Sequence, residues 1–140
     1  MEEYSRGVSI EKLADKSKTF AFAVTAEGQA IGSVGIFRCA NIHYRTAEIG
    51  YYIGERYWGK GYAVSAVRQA CKFVFENTDI VRIFAEPFAH NVRSCRVLEK
   101  AGFQFEGVLH NNAVKNGRIL DMKMYALLKS EGKEIFACGK

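Results

Sequence analysis

Hydrophobic and polar residues alternate along three stretches in the first half of the chain, which is the pattern of strands with one buried face. These predicted strands cover 19–25, 30–38 and 47–53. Glu27-Gly28 forms a turn after the first strand, and the polar segment 41–45 forms a hairpin loop before the third. The segment 9–16 instead has the composition of a short helix, with Ser9 as its N-cap.

The second half of the chain changes to helical periodicity at Tyr62, where apolar residues recur every three or four positions up to residue 75. A strand of the buried type follows over 80–86 and is stopped by a proline. Asn91 is a suitable N-cap for the next helix, and Gly102 is a suitable residue to end it. Cysteines within these two helical patterns are expected in the core.

A closing hairpin completes the pattern, in which 103–109 and 119–127 pair across an Asn116-Gly117 turn. The predicted order of elements is therefore α-β-β-β-α-β-α-β-β. That order is typical of an α+β fold with a mixed sheet flanked by helices. The 140 residues fit one domain over 1–140, and the 49% hydrophobic residues suffice for a packed core.

Charge, hydropathy and cysteine content indicate whether the protein binds nucleic acid, enters a membrane or holds a metal. A net charge of +5 raises nucleic-acid binding as one interpretation, but no run of five Lys/Arg occurs, and a polyanionic ligand accounts for the charge equally well. No apolar run approaches the ~20 residues that span a bilayer, and the N-terminus has no signal-peptide core, so we expect a cytoplasmic protein. No Cys/His cluster has zinc spacing, so no metal is predicted.

The most informative chemistry lies just before the first long helix, in the sequence Arg56-Tyr57-Trp58-Gly59-Lys60-Gly61-Tyr62-Ala63. A glycine-rich turn that opens a helix leaves backbone N–H groups without partners, where the helix dipole is positive. Gly59 and Gly61 let the backbone approach an anion with no Cβ in the way. We therefore predict a phosphate or pyrophosphate site. The pattern is neither a Walker loop nor a complete Rossmann fingerprint, because Val64 stands where a third glycine belongs.

The pattern R-x-x-G-x-G-x-A in this turn resembles the acetyl-CoA pyrophosphate loop of the GCN5-related N-acetyltransferases, the GNAT family. A second motif supports this resemblance, since Asn91 to Phe103 resembles the family's N-x-x-S-x-x-x-L-E-K-x-G-F segment. The resemblance is closest to the RimJ/RimL-like branch, which acetylates N-terminal or small amines. It implies an acetyl-CoA-dependent N-acetyltransferase with a mostly antiparallel twisted sheet, in which a primary amine attacks the thioester directly.

The resemblance also implies roles for individual residues. The cofactor-binding positions are Tyr52, Ile53, Arg56, Trp58, Gly59, Lys60, Gly61, Tyr62, Ala63 and Asn91. Gly50 and Gly54 fit a bulged or bent strand beside the pantetheine arm. Ser94 takes the position that protonates the departing thiolate, because Leu98 stands where other members keep a tyrosine. Glu48 matches the catalytic glutamate of histone acetyltransferases and is the candidate general base.

Structural alternatives stay open at each of these catalytic positions. Glu48 also fits an exposed strand residue, Asn91 an N-cap, and Ser94 a first-turn helix residue. Arg118 and Asp121 match the closing G-R-x-x-D segment of the branch and predict an internal ion pair.

The start of the chain differs from the resembled fold, which normally has another strand and two helices before residue 19. About eighteen residues precede it here, so we expect the first strand and part of the acceptor wall to be absent or remodelled. Such a shortened N-terminus would leave an exposed sheet edge that favours a homodimer. It also keeps open a second function, a CoA-binding protein without turnover.

Overall fold

The computed structural model describes residues 7–15 and 18–129. Its elements in chain order are β1 (Val8–Asp15), β2 (Thr19–Ala26), β3 (Gln29–Arg38), β4 (Thr46–Ile53), α1 (Tyr62–Asn77), β5 (Arg82–Ala85), α2 (Val92–Lys100), β6 (Gln104–Lys115) and β7 (Arg118–Leu128). The strands form one sheet in the order β1-β2-β3-β4-β5-β7-β6. Neighbouring strands are antiparallel except for β4 and β5, which confirms the predicted mixed and mostly antiparallel sheet.

The first element is a strand, so the helix predicted over 9–16 is wrong. β1 pairs antiparallel with β2 from Val8 to Lys12 and again at Ala14 and Asp15, with Val8 buried and Ser9 exposed. Pairing satisfies the backbone groups of the β2 edge, whereas an isolated helix of two turns is marginal in water. The opening strand was expected to be absent or remodelled; it is not absent, because β1 forms the sheet edge.

The later elements were predicted in the right type and order because their signals are local, but β6 runs to Lys115, beyond the predicted 103–109. The hairpin turn places Asn116 at a φ of +53° and Gly117 at +74°, as a two-residue type I′ turn requires. Asn91 caps α2, and Gly102, at a φ of +101°, follows that helix. Cys71 and Cys95 are buried, as expected.

The core lies between one face of the sheet and the two helices. The buried side chains of β2, β3 and β4 alternate with half-buried or exposed ones. They pack against the apolar face of α1, and the largest fully buried members include Phe22, Val24, Val34, Ile36, Val67 and Val74. Each such side chain contributes roughly 1.5–3 kcal/mol on burial. The other sheet face carries Glu48, Gly50 and Tyr52, all exposed.

β4 and β5 pair over three residues only, from Thr46↔Arg82 to Glu48↔Phe84. Beyond Glu48, β4 continues along β3 to Ile53, while β5 stays with β7. The two parallel strands therefore separate and leave an opening between them. A bulged or bent strand was expected at Gly50 and Gly54. The β3–β4 register is unbroken from Ala47 to Ile53, so a bulge at Gly50 is wrong, and the opening comes from lost β4–β5 pairing.

Gly32 fixes the end of β4 by close backbone contact. A Cβ on Gly32 would overlap the Tyr52 carbonyl oxygen and lie 2.9 Å from Ile53 Cδ1. The neighbouring backbone hydrogen bond is also short, since the Gly54 N–H donates to the Ile31 carbonyl at 2.8 Å. The path of β4 into the following turn thus depends on glycine at position 32.

We expect Gly32→Ala to lower the free energy of unfolding by about 1–3 kcal/mol, because the added methyl forces β3 away from β4. Gly50→Ala is the matched control on the same strand pair, since a Cβ there meets nothing within 4 Å. Urea denaturation followed by circular dichroism measures both. Equal unfolding midpoints for the two variants would contradict this account of Gly32.

Candidate active site

The glycine turn before α1 has the geometry of an anion site. Gly59 and Gly61 lie at φ of +79° and +81°, where other residues are strained. Gly61 is the N-cap of α1, and no side chain caps that helix. Its first hydrogen bond runs from the Ser65 N–H to the Gly61 carbonyl at 3.1 Å. The amides of residues 62–64 thus lie at the positive helix end, where an anion is stabilised.

Two side chains of the turn are held by the preceding hairpin. Lys60 Nζ lies 3.0 Å from Glu27 Oε2, and the Tyr62 hydroxyl donates to the same oxygen at 2.8 Å. The Lys60 bond, followed by the Tyr62 bond, holds the pKa of Glu27 below its usual value. Glu27 therefore offsets much of the Lys60 charge, and the backbone amides are the main anion donors of the turn.

Trp58 connects the turn to both β4 and α2. Its Nε1–H donates to the Ile53 carbonyl at 2.8 Å, and the Arg93 guanidinium lies 3.4 Å from the centroid of its ring. The Ile53 carbonyl is therefore already hydrogen-bonded to another side chain of the protein. The neighbouring Tyr52 side chain is 65% exposed. Arg93 was not among the predicted site residues, because nothing in residue order indicates that the first turn of α2 meets Trp58.

Glu48 lies where the opening between β4 and β5 begins. It occupies the exposed face of β4 and is the register partner of Phe84. Partial burial against the sheet raises the pKa of the Glu48 carboxyl, and the negative charge of Glu86 raises it further. A raised pKa makes the carboxylate a stronger proton acceptor near neutral pH. Alternation along β5 places Glu86 on the Phe84 face, but the sequence alone did not reveal the β4–β5 register.

Tyr51 joins β4 to Ser94 on the opposite face of the sheet. Its hydroxyl oxygen lies 2.8 Å from Ser94 Oγ and 3.1 Å from the Ser94 carbonyl oxygen. Burial raises the pKa of the Tyr51 phenol, so it stays protonated at neutral pH. Asn91 Oδ1 accepts the Ser94 N–H at 3.1 Å, which establishes its N-cap role. This bond joins residues 43 positions apart, and no local pattern in the sequence indicates it.

These contacts place three chemical groups around the opening. Glu48 supplies a carboxylate on one sheet face, and Ser94 supplies a hydroxyl held by Tyr51 on the other. The uncapped amides of α1 follow the end of β4. Among the other predicted site residues, Arg56 lies against the Tyr57 ring, with 5.4 Å between guanidinium carbon and ring centroid.

The predicted ion pair between Arg118 and Asp121 is wrong. Asp121 accepts the Asn111 N–H at 2.8 Å, and its other carboxylate oxygen lies 3.2 Å from His110 Nδ1. Residues three positions apart on a strand point to opposite faces, which keeps Arg118 away. An irregular register between Leu109 and Ala113 brings the Asn111 amide to Asp121 instead.

Within residues 7–15 and 18–129, no cluster of three or more His, Cys, Asp or Glu side chains is suited to a metal ion. No helix of that part of the chain is long and apolar enough to cross a membrane.

Comparison with known proteins gives consistent matches. The sequence model of the acetyltransferase (GNAT) domain matches residues 2–104. The uncharacterized N-acetyltransferase p20 of Bacillus licheniformis is 34% identical over 119 residues. The [ribosomal protein uS5]-alanine N-acetyltransferase of Escherichia coli is 29% identical over 101 residues. A spermidine N-acetyltransferase from Vibrio cholerae, solved with CoA and spermine, superposes with a TM-score of 0.74 at 27% identity.

The aligned regions cover most of this chain but a smaller share of each relative's length. The alignment with p20 covers 85% of this chain and 66% of p20. The alignment with the Escherichia coli enzyme covers 72% of this chain and 52% of that enzyme. For the solved spermidine enzyme the shares are 83% of the chain and 69% of that protein.

We expect Glu86→Gln to lower the pKa of the Glu48 carboxyl, because the substitution removes the neighbouring negative charge and keeps the side-chain size. Carboxyl carbon chemical shifts followed through a pH titration measure this pKa. Glu76→Gln on α1, where Glu76 pairs with Lys72, is the control and should leave Glu48 unchanged. An unaltered Glu48 titration in Glu86→Gln would show that the two carboxylates are not coupled.

Proposed function

Since the chain belongs to the GNAT acetyltransferase family, we propose that it transfers an acetyl group from acetyl-CoA to a primary amine. The observation that carries this proposal is the opening between β4 and β5, which begins at a carboxylate and leads to an uncapped helix N-terminus. A thioester substrate with a pyrophosphate needs both a slot for its arm and donors for its anion. The solved spermidine enzyme with CoA and spermine supports the same substrate pair.

Binding of acetyl-CoA follows from backbone groups. The pyrophosphate accepts hydrogen bonds from the amides of residues 62–64, and the glycine turn leaves room for close approach, since a Cβ on Gly59 meets nothing within 4 Å. The pantetheine arm occupies the opening, where the β4 edge beyond Glu48 has lost its β5 partner. Asn91 retains its amide N–H groups for the arm while its oxygen caps α2.

The reaction needs a proton acceptor for the amine and a hydrogen-bond donor for the leaving sulfur. Glu48 takes a proton from the amine, whose nitrogen then forms the new bond to the acetyl carbon as the C–S bond breaks. Ser94 donates a hydrogen bond to the departing thiolate, and the Tyr51 hydroxyl, within 2.8 Å, fixes the direction of the Ser94 hydroxyl. Most of the acceleration comes from holding amine and thioester together.

We propose that the acceptor is a peptide N-terminus or a small amine, and that the protein acts in the cytoplasm. The relatives that are named for ribosomal protein uS5 and for spermidine support both acceptor types. The exposed face around Glu48 and Tyr52 gives an amine access to the opening. The homodimer was predicted from a missing edge strand, whereas β1 occupies that edge, and the homodimer stays an untested prediction.

The direct test is release of free CoA thiol from acetyl-CoA in the presence of a panel of peptides and small amines. We expect amine-dependent thiol release with stoichiometric N-acetylation detected by mass spectrometry. Tight CoA binding without thiol release for any amine would identify a CoA-binding protein instead.

For a good acceptor, we expect Glu48→Gln to reduce kcat/KM by about 10²-fold at neutral pH. The deficit should shrink as pH rises, because the free amine then becomes available without a base. Glu11→Gln, on the exposed face of β1, is the matched control and should follow the wild-type profile. Parallel pH–rate profiles for Glu48→Gln and wild type would assign the proton acceptor to another group.

A further inference from the structure

The chain beyond β5 extends the Glu48 face of the sheet toward the β6–β7 hairpin. After Ala85 it stays beside β7, since the Lys123 N–H donates to the Pro87 carbonyl at 2.9 Å and Phe88 bridges Met122. Side chains alternate in such an extended segment, so Glu86 and Phe88 lie on the same face as Phe84. Phe84 is the register partner of Glu48, so all four belong to one surface.

Side-chain contacts continue this surface onto the hairpin. Asn112 Nδ2 lies 3.4 Å from Glu86 Oε1 and 3.2 Å from Met122 Sδ. Lys115 Nζ lies 5.2 Å from the centroid of the Phe88 ring. Lys115 is in turn the register partner of Arg118. The surface therefore has two carboxylates at one end and two cations at the other, with Phe88 between them.

The cationic end borders a cavity of about 580 Å³ that His90, Lys115, Arg118 and Asp121 help to line. Asp121 is engaged by the Asn111 amide and the His110 ring, which hold its pKa below the usual value. Among the described residues, no carboxylate forms a salt bridge with Lys115 or Arg118. An anionic group on a bound molecule would meet uncompensated positive charge there.

We propose that the acceptor is a peptide whose N-terminal amine lies at Glu48 and Glu86 and whose acidic side chain, two or three residues later, lies at Lys115 and Arg118. This inference rests on the proposed acetyl transfer. Two residues of strand separate Glu86 from Phe88, or roughly 6–7 Å, and Lys115 lies just beyond. The span of roughly 10 Å equals about three extended residues and exceeds the reach of a free amino acid.

The test compares three peptides that begin Ser-Ala-Glu, Ser-Ala-Gln or Ser-Ala-Lys and are otherwise identical. We expect kcat/KM to be about three- to tenfold higher for the glutamate peptide than for the glutamine peptide, since two exposed cations act together. The advantage should shrink at high salt, which screens exposed charges. The lysine peptide should be the poorest substrate.

Charge reversal provides the matched variants. Lys115→Glu combined with Arg118→Glu should invert the order, so that the lysine peptide becomes the best of the three. Lys72→Glu, on the surface of α1, is the control and should leave the order unchanged. Lys115→Gln with Arg118→Gln removes the preference without adding charge and replaces the reversed pair if that pair does not fold.

A second measurement gives the affinities of the same peptides for the protein saturated with CoA. It distinguishes a failure of this inference from a failure of the proposed function. Equal kcat/KM and equal affinity for the glutamate and glutamine peptides would overturn the inference, while acetylation of both would leave the proposed function standing. If no amine is acetylated, the proposed function is wrong. In that case the acceptor inference falls with it, and the affinities report only whether Lys115 and Arg118 bind an acidic side chain.

Discussion

The separation of β4 from β5 is the constraint on which the site depends. β4 is held along β3 by an unbroken register, and β5 is held along β7 by antiparallel pairs. Neither strand can move to close the opening without giving up hydrogen bonds on its other side, each with a net contribution of about 0.5–1.5 kcal/mol. Three shared pairs fix where the opening begins, at Glu48.

The strand β4 positions the functional groups around that opening. Alternation along β4 sends Glu48 to the exposed face and Tyr51 toward α2, where it meets Ser94. The end of β4 leads directly into the glycine turn, and Trp58 bonds back to Ile53. The anion site, the proton acceptor and the hydroxyl pair are therefore positioned by a single backbone segment and its neighbours.

Local signals account for what the sequence predicted well. The glycine turn, the start of α1 and the Asn116-Gly117 turn each follow from residues within a few positions of one another. Other contacts join residues that are far apart in the chain. Tyr51 orients Ser94, and Glu86 raises the pKa of Glu48. These contacts depend on how the strands pair, which a single sequence does not show. The predicted helix at 9–16 failed for the same reason, because the β2 edge determines that segment's structure.

Amide hydrogen exchange with and without CoA tests the central claim most directly. The account predicts that saturating CoA slows exchange about tenfold or more at residues 62–64 and in β4 beyond Glu48, because these backbone groups gain hydrogen-bond partners. Exchange in the β1 edge should stay unchanged. Protection that appears elsewhere, with residues 62–64 and β4 unaffected, would contradict the assignment of the opening as the acetyl-CoA site.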